Sequence, residues 1–285
     1  MVAGTSKGLL MNEPLVSIII PHYQTPELVK LCLRSIRKFT TQIPHEVIVV
    51  DNASRDGASL DYLRGVEWIR LIERHENVAR GGAGHREAVE IGFGAARAPY
   101  LLTIHTDTIP IRNDWLEYHL QPLLDDEAVA ATGTDKLNLR PRYREWLRGL
   151  EDWAMWWKRS RTVRLFNSKP FIRSHCALYR RSILEKHNIR YNDAPSLTAG
   201  RGMYQELIRL GYECPLLDPR DVVQRVVHLE HATMLLVPEF RSTLRKLLVY
   251  RGLRRIRRFL NQSEIRQLMA DDSLDLADSH WKRSA

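Results

Sequence analysis

Three short runs constrain this chain more than anything else in it. Val16–Ile20 (VSIII), Glu46–Val50 (EVIVV) and Tyr100–Ile104 (YLLTI) are almost wholly apolar and rich in β-branched residues. Each breaks off into a polar stretch: PHYQ, DNASRDG and HTD. A continuous apolar run of this length, without alternation, describes a strand buried on both faces. Glu67–Ile72 reads as a further strand. Between the runs lie helical patterns at Pro26–Phe39, with Thr25 as the expected N-cap and Pro26 in the first turn, and at Ala83–Arg97. Strands that alternate with helices and are apolar on both sides predict an α/β fold with a mostly parallel sheet and helices on both faces.

After about Ala128 the alternation loosens. Val129–Thr132 and Ala177–Tyr179 read as strands, and Trp146–Arg159 and Arg201–Leu210 as helices. Pro238–Leu260 reads as one long basic helix. No Pro/Gly/Ser-rich linker divides the chain, so the expectation is an N-terminal extension over 1–13, a domain over 14–237 and a helical tail over 238–285. The domain divides into a nucleotide-type half, 14–126, and an elaborated half, 127–237.

With 285 residues, 44% of them apolar, the chain can bury a full core. Cys32, Cys176 and Cys214 are widely spaced and odd in number, which fits neither a disulfide framework nor a zinc site. The first residues lack the apolar core of a signal peptide, and no run has the length of a membrane span, so a cytoplasmic location is expected. The net charge is +9. Much of the excess lies in 241–258, where Arg241, Arg245, Lys246, Arg251, Arg254, Arg255, Arg257 and Arg258 stand without one acidic residue. A basic helix with an apolar face predicts contact with an anionic membrane surface, against the plainer reading of a helix packed on its own domain. Nucleic acid is not an expected partner, because the charge is local and no recognised binding module is present.

The chemistry gathers at strand ends, where open α/β sheets bind ligands. Asp51 follows a buried strand; it can accept from a base N–H or a ribose hydroxyl, or close an Asx-type turn with Asn52. The glycines of ENVARGGAGH precede a helix, which suits anion binding. His105 and Asp107, two apart at a strand end, face one side and can share a divalent ion.

Taken in order, VSIIIPHYQTPELVKLCLRSI, EVIVVDNASRDGAS and ENVARGGAGHREAVEIGFGAARAPYLLTIHTDT resemble the family 2 glycosyltransferases of the GT-A fold, over roughly the first half of the chain. The resemblance implies a Rossmann-like sheet and inverting transfer of a sugar from a UDP-, TDP- or GDP-linked donor to a glycan or lipid-linked acceptor hydroxyl, with Mg²⁺ or Mn²⁺. It implies nucleotide contacts from Pro21, His22, Tyr23, Asp51, Asn52, Arg80, Gly81, Gly82, His85, His105 and Thr106. Asp107 is the implied metal ligand, with His105, His228 and His231 as further candidates. His175, in SHCALYRR, matches the region that shapes the acceptor pocket.

Two departures stand out. The family's Asp-x-Asp reads His105-Thr106-Asp107, so His105 is left between ribose, metal and neither. The acidic pair expected at the start of the helix in YQELIRLGYE falls on Ala199-Gly200. Asp193 is the nearest upstream acid and the candidate base, although it also suits a turn before Pro195. A catalytically inactive nucleotide- or partner-binding domain is therefore the alternative reading.

Overall fold

The computed structural model describes residues 13–75, 81–135, 137, 170–193, 200–241 and 246–277. The first half runs β1 (Val16–His22), α1 (Pro26–Phe39), β2 (His45–Asp51), α2 (Ala58–Arg64), β3 (Ile69–Glu73), α3 (Gly82–Ala95), β4 (Tyr100–Ile104), β5 (Thr108–Pro110) and α4 (Trp115–Asp125). It continues with β6 (Ala131–Gly133), β7 (Cys176–Arg180), α5 (Arg181–Lys186), α6 (Arg201–Arg209), α7 (Pro219–Val222) and β8 (Val226–His228). The last elements are α8 (Ala232–Leu236), α9 (Pro238–Arg241), α10 (Lys246–Leu260), α11 (Ser263–Ala270) and a 3₁₀ turn at Asp272–Asp275.

Six strands form one sheet in the order β3-β2-β1-β4-β7-β6. β1 to β4 are mutually parallel, and β7 lies antiparallel between β4 and β6. β6 therefore runs in the direction of β1 to β4 and ends on the same edge of the sheet.

Burial explains why the strand sequences do not alternate. Ile18 and Ile20 pack with Val29, Leu33 and Ile36 of α1, whereas Ile19, between them, packs with Ala88, Val89 and Phe93 of α3. All three isoleucines are fully buried. Burying each contributes about 1.5–3 kcal/mol. α3 comes close enough to cover Ile19 because position 92 is glycine: a Cβ there would stand 2.3 Å from the Ile19 Cγ2.

Some boundaries differ from expectation. β3 is Ile69–Glu73, shifted from Glu67–Ile72. Thr25 precedes α1 but does not cap it with its side chain; its φ is 68°, and only its backbone carbonyl accepts, from Leu28 and Val29 N–H. Gln24, also at positive φ, donates its N–H to Ser54 Oγ beyond β2, and the left-handed backbone of Thr25 lacks the extended geometry a Thr cap requires. The described parts of the expected helix Pro238–Leu260 are α9 and α10; residues 242–245 and the expected helix Trp146–Arg159 lie outside the described residues.

The segment after α10 folds back onto the domain. The Arg34 side chain, fully buried on α1, bonds the carbonyl of Met269 and the carboxylates of Asp272 and Asp275. Tyr62 donates to Asp275 at 2.8 Å, and the Trp68 indole donates to the Leu274 carbonyl at 2.8 Å.

Candidate active site

The parallel strands deliver their polar ends to one edge, where a cavity of about 830 Å³ opens. The β1–β2 register sets His22 directly opposite Asp51. Ser54 ties the two loops together: its N–H and hydroxyl donate to the two Asp51 carboxylate oxygens (2.9 and 2.5 Å), and its Oγ accepts from Gln24 N–H at 2.7 Å. Asp51 is fully buried under the cavity floor, and its carboxyl is raised by burial against the opposing Ser54 bonds. His22 lines the cavity, 1% exposed, with neither ring nitrogen hydrogen-bonded. Burial lowers its pKa to about 4, against a small opposing pull from Asp56. Asn52 is anchored through Nδ2 to the Gly84 carbonyl and through Oδ1 to Arg74, which joins the β2 end to α3.

The end of β4 builds the second part. Asp107 is 4% exposed. Its Oδ2 accepts the Ala232 N–H at 3.1 Å, and its Oδ1 is buried without a hydrogen bond. Two imidazoles face that oxygen: His228 Nε2 at 3.5 Å and His105 Nδ1 at 3.9 Å. The 3.5 Å contact is at the outer limit of a hydrogen bond and acts mainly through charge. Burial pushes the Asp107 carboxyl upward, but His228, His105 and the Ala232 N–H outweigh it, and the group stays ionised well below the usual carboxylate range.

Sheet register brings His228 here. β5 and β8 pair antiparallel with Thr108 opposite His228, and Leu229 N–H donates to the Asp107 carbonyl at 2.8 Å. His231 lines the cavity from the start of α8 at φ 56°, outside the three-residue cluster.

Each cluster imidazole has support. His105 Nε2 lies 3.0 Å from Ser174 Oγ, and its ring meets His85 edge-on with centroids 4.7 Å apart. Burial holds His105 near pKa 4 and His85 near 3. His175 stacks on His228 at 4.7 Å and bonds Thr134 at 3.0 Å. Burial, reinforced by His228, lowers its pKa well below the histidine norm.

The residues fit a divalent cation. The ligand atoms of His105, Asp107 and His228 lie within 4.8 Å of one another. The carboxylate is ionised, one of its oxygens lacks a partner, and His105 is neutral with its second nitrogen oriented by Ser174, as metal-bound histidines require.

Of the residues expected in the site, Pro21, His22, Tyr23, Asn52, Gly81, Gly82, His85, His105, Thr106, Asp107, His228 and His231 line the cavity. Asp51 lies just beneath it, and Arg80 lies outside the described residues. Asp193 is not in the wall; its carboxylate accepts the Arg190 N–H at 2.8 Å, closing a turn. Gly200, where one acid of the expected pair would fall, has φ +83°, and a Cβ there would lie 3.0 Å from the Ile172 carbonyl oxygen, so a larger side chain at this position is strained; Ala199 lies outside the described residues. Arg173, Ser174, Thr233, Met234 and Phe240 line the cavity without having been anticipated.

Residues 17–187 match the model of the family described as glycosyl transferase family 2. The chain belongs to this family. The match extends past the first-half resemblance, into β7 and α5. Among curated proteins, the chain is 25% identical over 196 residues to a teichoic acid poly(glycerol phosphate) polymerase of Staphylococcus epidermidis, covering 64% of this chain and 24% of that protein. It is 34% identical over 97 residues to a poly(ribitol-phosphate) beta-glucosyltransferase of Bacillus spizizenii, covering 32% of this chain and 14% of that protein. The chain thus spans at most a quarter of either relative. In fold it is similar to the mannosyltransferase PcManGT of Pyrobaculum calidifontis, solved with GDP-Man and Mn²⁺: TM-score 0.51, 15% identity, covering 93% of this chain and 86% of that one. The fold is thus the GT-A type, with its Rossmann-like parallel half and antiparallel edge.

Proposed function

We propose that this protein transfers a sugar from a nucleoside-diphosphate sugar to an acceptor hydroxyl, with inversion, and that Asp107, His105 and His228 hold the divalent ion, Mn²⁺ or Mg²⁺, that the reaction uses. The observation that carries the reading is the unpartnered Asp107 Oδ1 between two imidazoles, in the wall of a cavity that also holds the His22–Asn52 pair of strand ends. The ion, when bound, supplies charge that stabilises the departing diphosphate.

The chain's own groups have separable tasks. The Ser54-tied loops hold His22 and Asn52 in fixed positions against the nucleoside. Gly81 and Gly82 let the diphosphate approach the backbone at the start of α3. Tyr23, Met234 and Phe240 give the wall an apolar side that keeps water from the donor. One displacement, with the acceptor oxygen bonding the anomeric carbon and passing its proton to a base as the carbon–oxygen bond to the diphosphate breaks, inverts that centre and releases the nucleoside diphosphate. The names of the two curated relatives specify polyol-phosphate polymers, which supports a cell-surface glycan or glycolipid as acceptor.

A panel of UDP, TDP and GDP with and without Mn²⁺ tests the reading by thermal shift. At one hundred times its dissociation constant the right nucleotide stabilises the fold by about 2.7 kcal/mol. A panel without any response rejects the donor site. The replacement of the expected acidic pair by Ala199-Gly200 favours one second reading, a nucleotide-binding domain without turnover. Stabilisation with neither transfer nor donor hydrolysis, across a panel of sugars and acceptors, would select it.

Asp135 provides a further test. It stands beyond the end of β6 and pairs at 2.8 Å with Arg173 of the cavity wall. Asp135→Asn should leave Mn²⁺-dependent nucleotide binding intact. If turnover falls a hundredfold or more while binding holds, Asp135 has the base's role; unchanged turnover removes it from the chemistry.

A further inference from the structure

No helix among the described residues is long and apolar enough to cross a membrane. α10 nonetheless has two faces of different character. Its inner face, Val249, Leu253, Ile256, Phe259 and Leu260, packs on Leu28, Leu229 and Leu235. Gly252 permits that approach, since a Cβ there would meet Leu235 Cδ1 at 2.4 Å. The plainer reading of the helix, packing on its own domain, is thus satisfied by this face alone.

The rest of α10 is unexplained by that packing. Leu247, Leu248 and Tyr250 are 59%, 50% and 64% exposed. Arg251, Arg254, Arg257 and Arg258 are exposed too, and none has an acidic partner among the described residues. Arg255 differs, pairing with Glu230 at 2.7 Å. Apolar side chains in one turn followed by unpaired guanidinium groups describe a helix that lies in a membrane interface. The leucines and tyrosine enter the headgroup boundary while the arginines reach lipid phosphates. We propose that α10 is a docking surface for an anionic lipid bilayer. A soluble polyanion would use the arginines but leave the leucines and tyrosine in water, which favours lipid as the occupant.

The consequence for the site is geometric and rests on the glycosyltransferase reading. α8 packs on α10 and carries Thr233 and Met234 of the cavity wall, while α9 contributes Phe240. A bilayer seated on α10 therefore lies close to the cavity, within reach of an acceptor held in the membrane.

The full chain should co-sediment with phosphatidylglycerol vesicles at low salt, not with pure phosphatidylcholine vesicles, and should be released by high salt. Each arginine near an anionic surface strengthens binding about fivefold, so Arg251→Gln, Arg254→Gln, Arg257→Gln and Arg258→Gln together should weaken it on the order of 500-fold. Leu247→Ser, Leu248→Ser and Tyr250→Ser together should also release the protein. Both variants should keep the nucleotide thermal shift of the parent chain, which separates loss of docking from loss of the fold or of the donor site. Three results would overturn the proposal: no sedimentation of the parent chain, unchanged binding by the leucine–tyrosine variant, or binding to soluble polyphosphate without binding to vesicles.

Discussion

Asp107→Asn should abolish metal-dependent nucleotide binding. Asp107 is the only carboxylate in the three-residue cluster, and its Oδ1 faces both imidazoles without a hydrogen bond. Asparagine keeps the Ala232 N–H bond through its own carbonyl, so the fold should survive. What it removes is the one negative charge of the His105–Asp107–His228 cluster. Titration of Mn²⁺ into the apoprotein, followed by calorimetry or by the Mn²⁺ paramagnetic signal, reads this directly. We expect at least a hundredfold loss of ion affinity, about 2.7 kcal/mol, by analogy with the loss of a charged partner at a buried site. The donor set makes a second demand on the same experiment. Two nitrogen ligands in place of carboxylate oxygens favour Mn²⁺ over Mg²⁺, since Mg²⁺ prefers hard oxygen donors. His105→Asp should therefore move preference toward Mg²⁺. Tight Mn²⁺ binding by Asp107→Asn would remove the assignment, and insensitivity of activity to EDTA would make the chemistry metal-independent.

What could be read from the residues in advance follows the range of the interactions involved. β1, β2 and β4 were legible because burial on both faces leaves its signature in consecutive residues, Ile18 to Ile20 being the clearest case. The strand-end position of His22, Asp51 and Asp107 follows from parallel pairing, which strand–helix alternation implies. Which of His228 and His231 stands beside Asp107 was not legible. It depends on the register of β5 against β8, a pairing between residues more than a hundred apart that sets His228 opposite Thr108. His175 was signalled by the resemblance, but Ser174 enters the wall because β7 inserts antiparallel between β4 and β6, and no local pattern announces that order. Thr25 is no side-chain cap because its backbone is left-handed, next to Gln24 held by Ser54 of the neighbouring loop, a tertiary contact that local preference does not foresee. Position 200 is the reverse case. The missing acid was plain in the sequence, but the left-handed backbone at φ +83° that suits glycine there needed the structure.

Acid should unfold this protein well above the pH at which its carboxylates titrate. His22 and His119 are both held near pKa 4 by burial, and His45 is lowered by the same cause. His119 lies in the core with Nδ1 donating to the Trp115 carbonyl at 2.7 Å and Nε2 3.4 Å from Cys176 Sγ. His45 bonds the Ile43 carbonyl at 2.8 Å, and His22 has no hydrogen bond at either nitrogen. In the unfolded chain each would titrate near the ordinary value of about 6.5. Between that value and 4 the unfolded state binds more protons than the folded one, so stability rises with pH across this interval and falls as pH drops through it. The contribution is complete above pH 6.5 and is lost progressively down to the folded pKa. For His22 and His119 a displacement of this size corresponds to about 3 kcal/mol each. Their sum is comparable with the whole stability of many domains. Urea or thermal denaturation from pH 7.5 to 4.5 should show a steep loss of stability beginning near 6.5. The loss should be shallower in His119→Gln, which lacks one of the titrating rings, whatever its stability at neutral pH. A flat profile between pH 6.5 and 4.5 would mean that these imidazoles are charged in the folded protein and that burial does not hold them neutral.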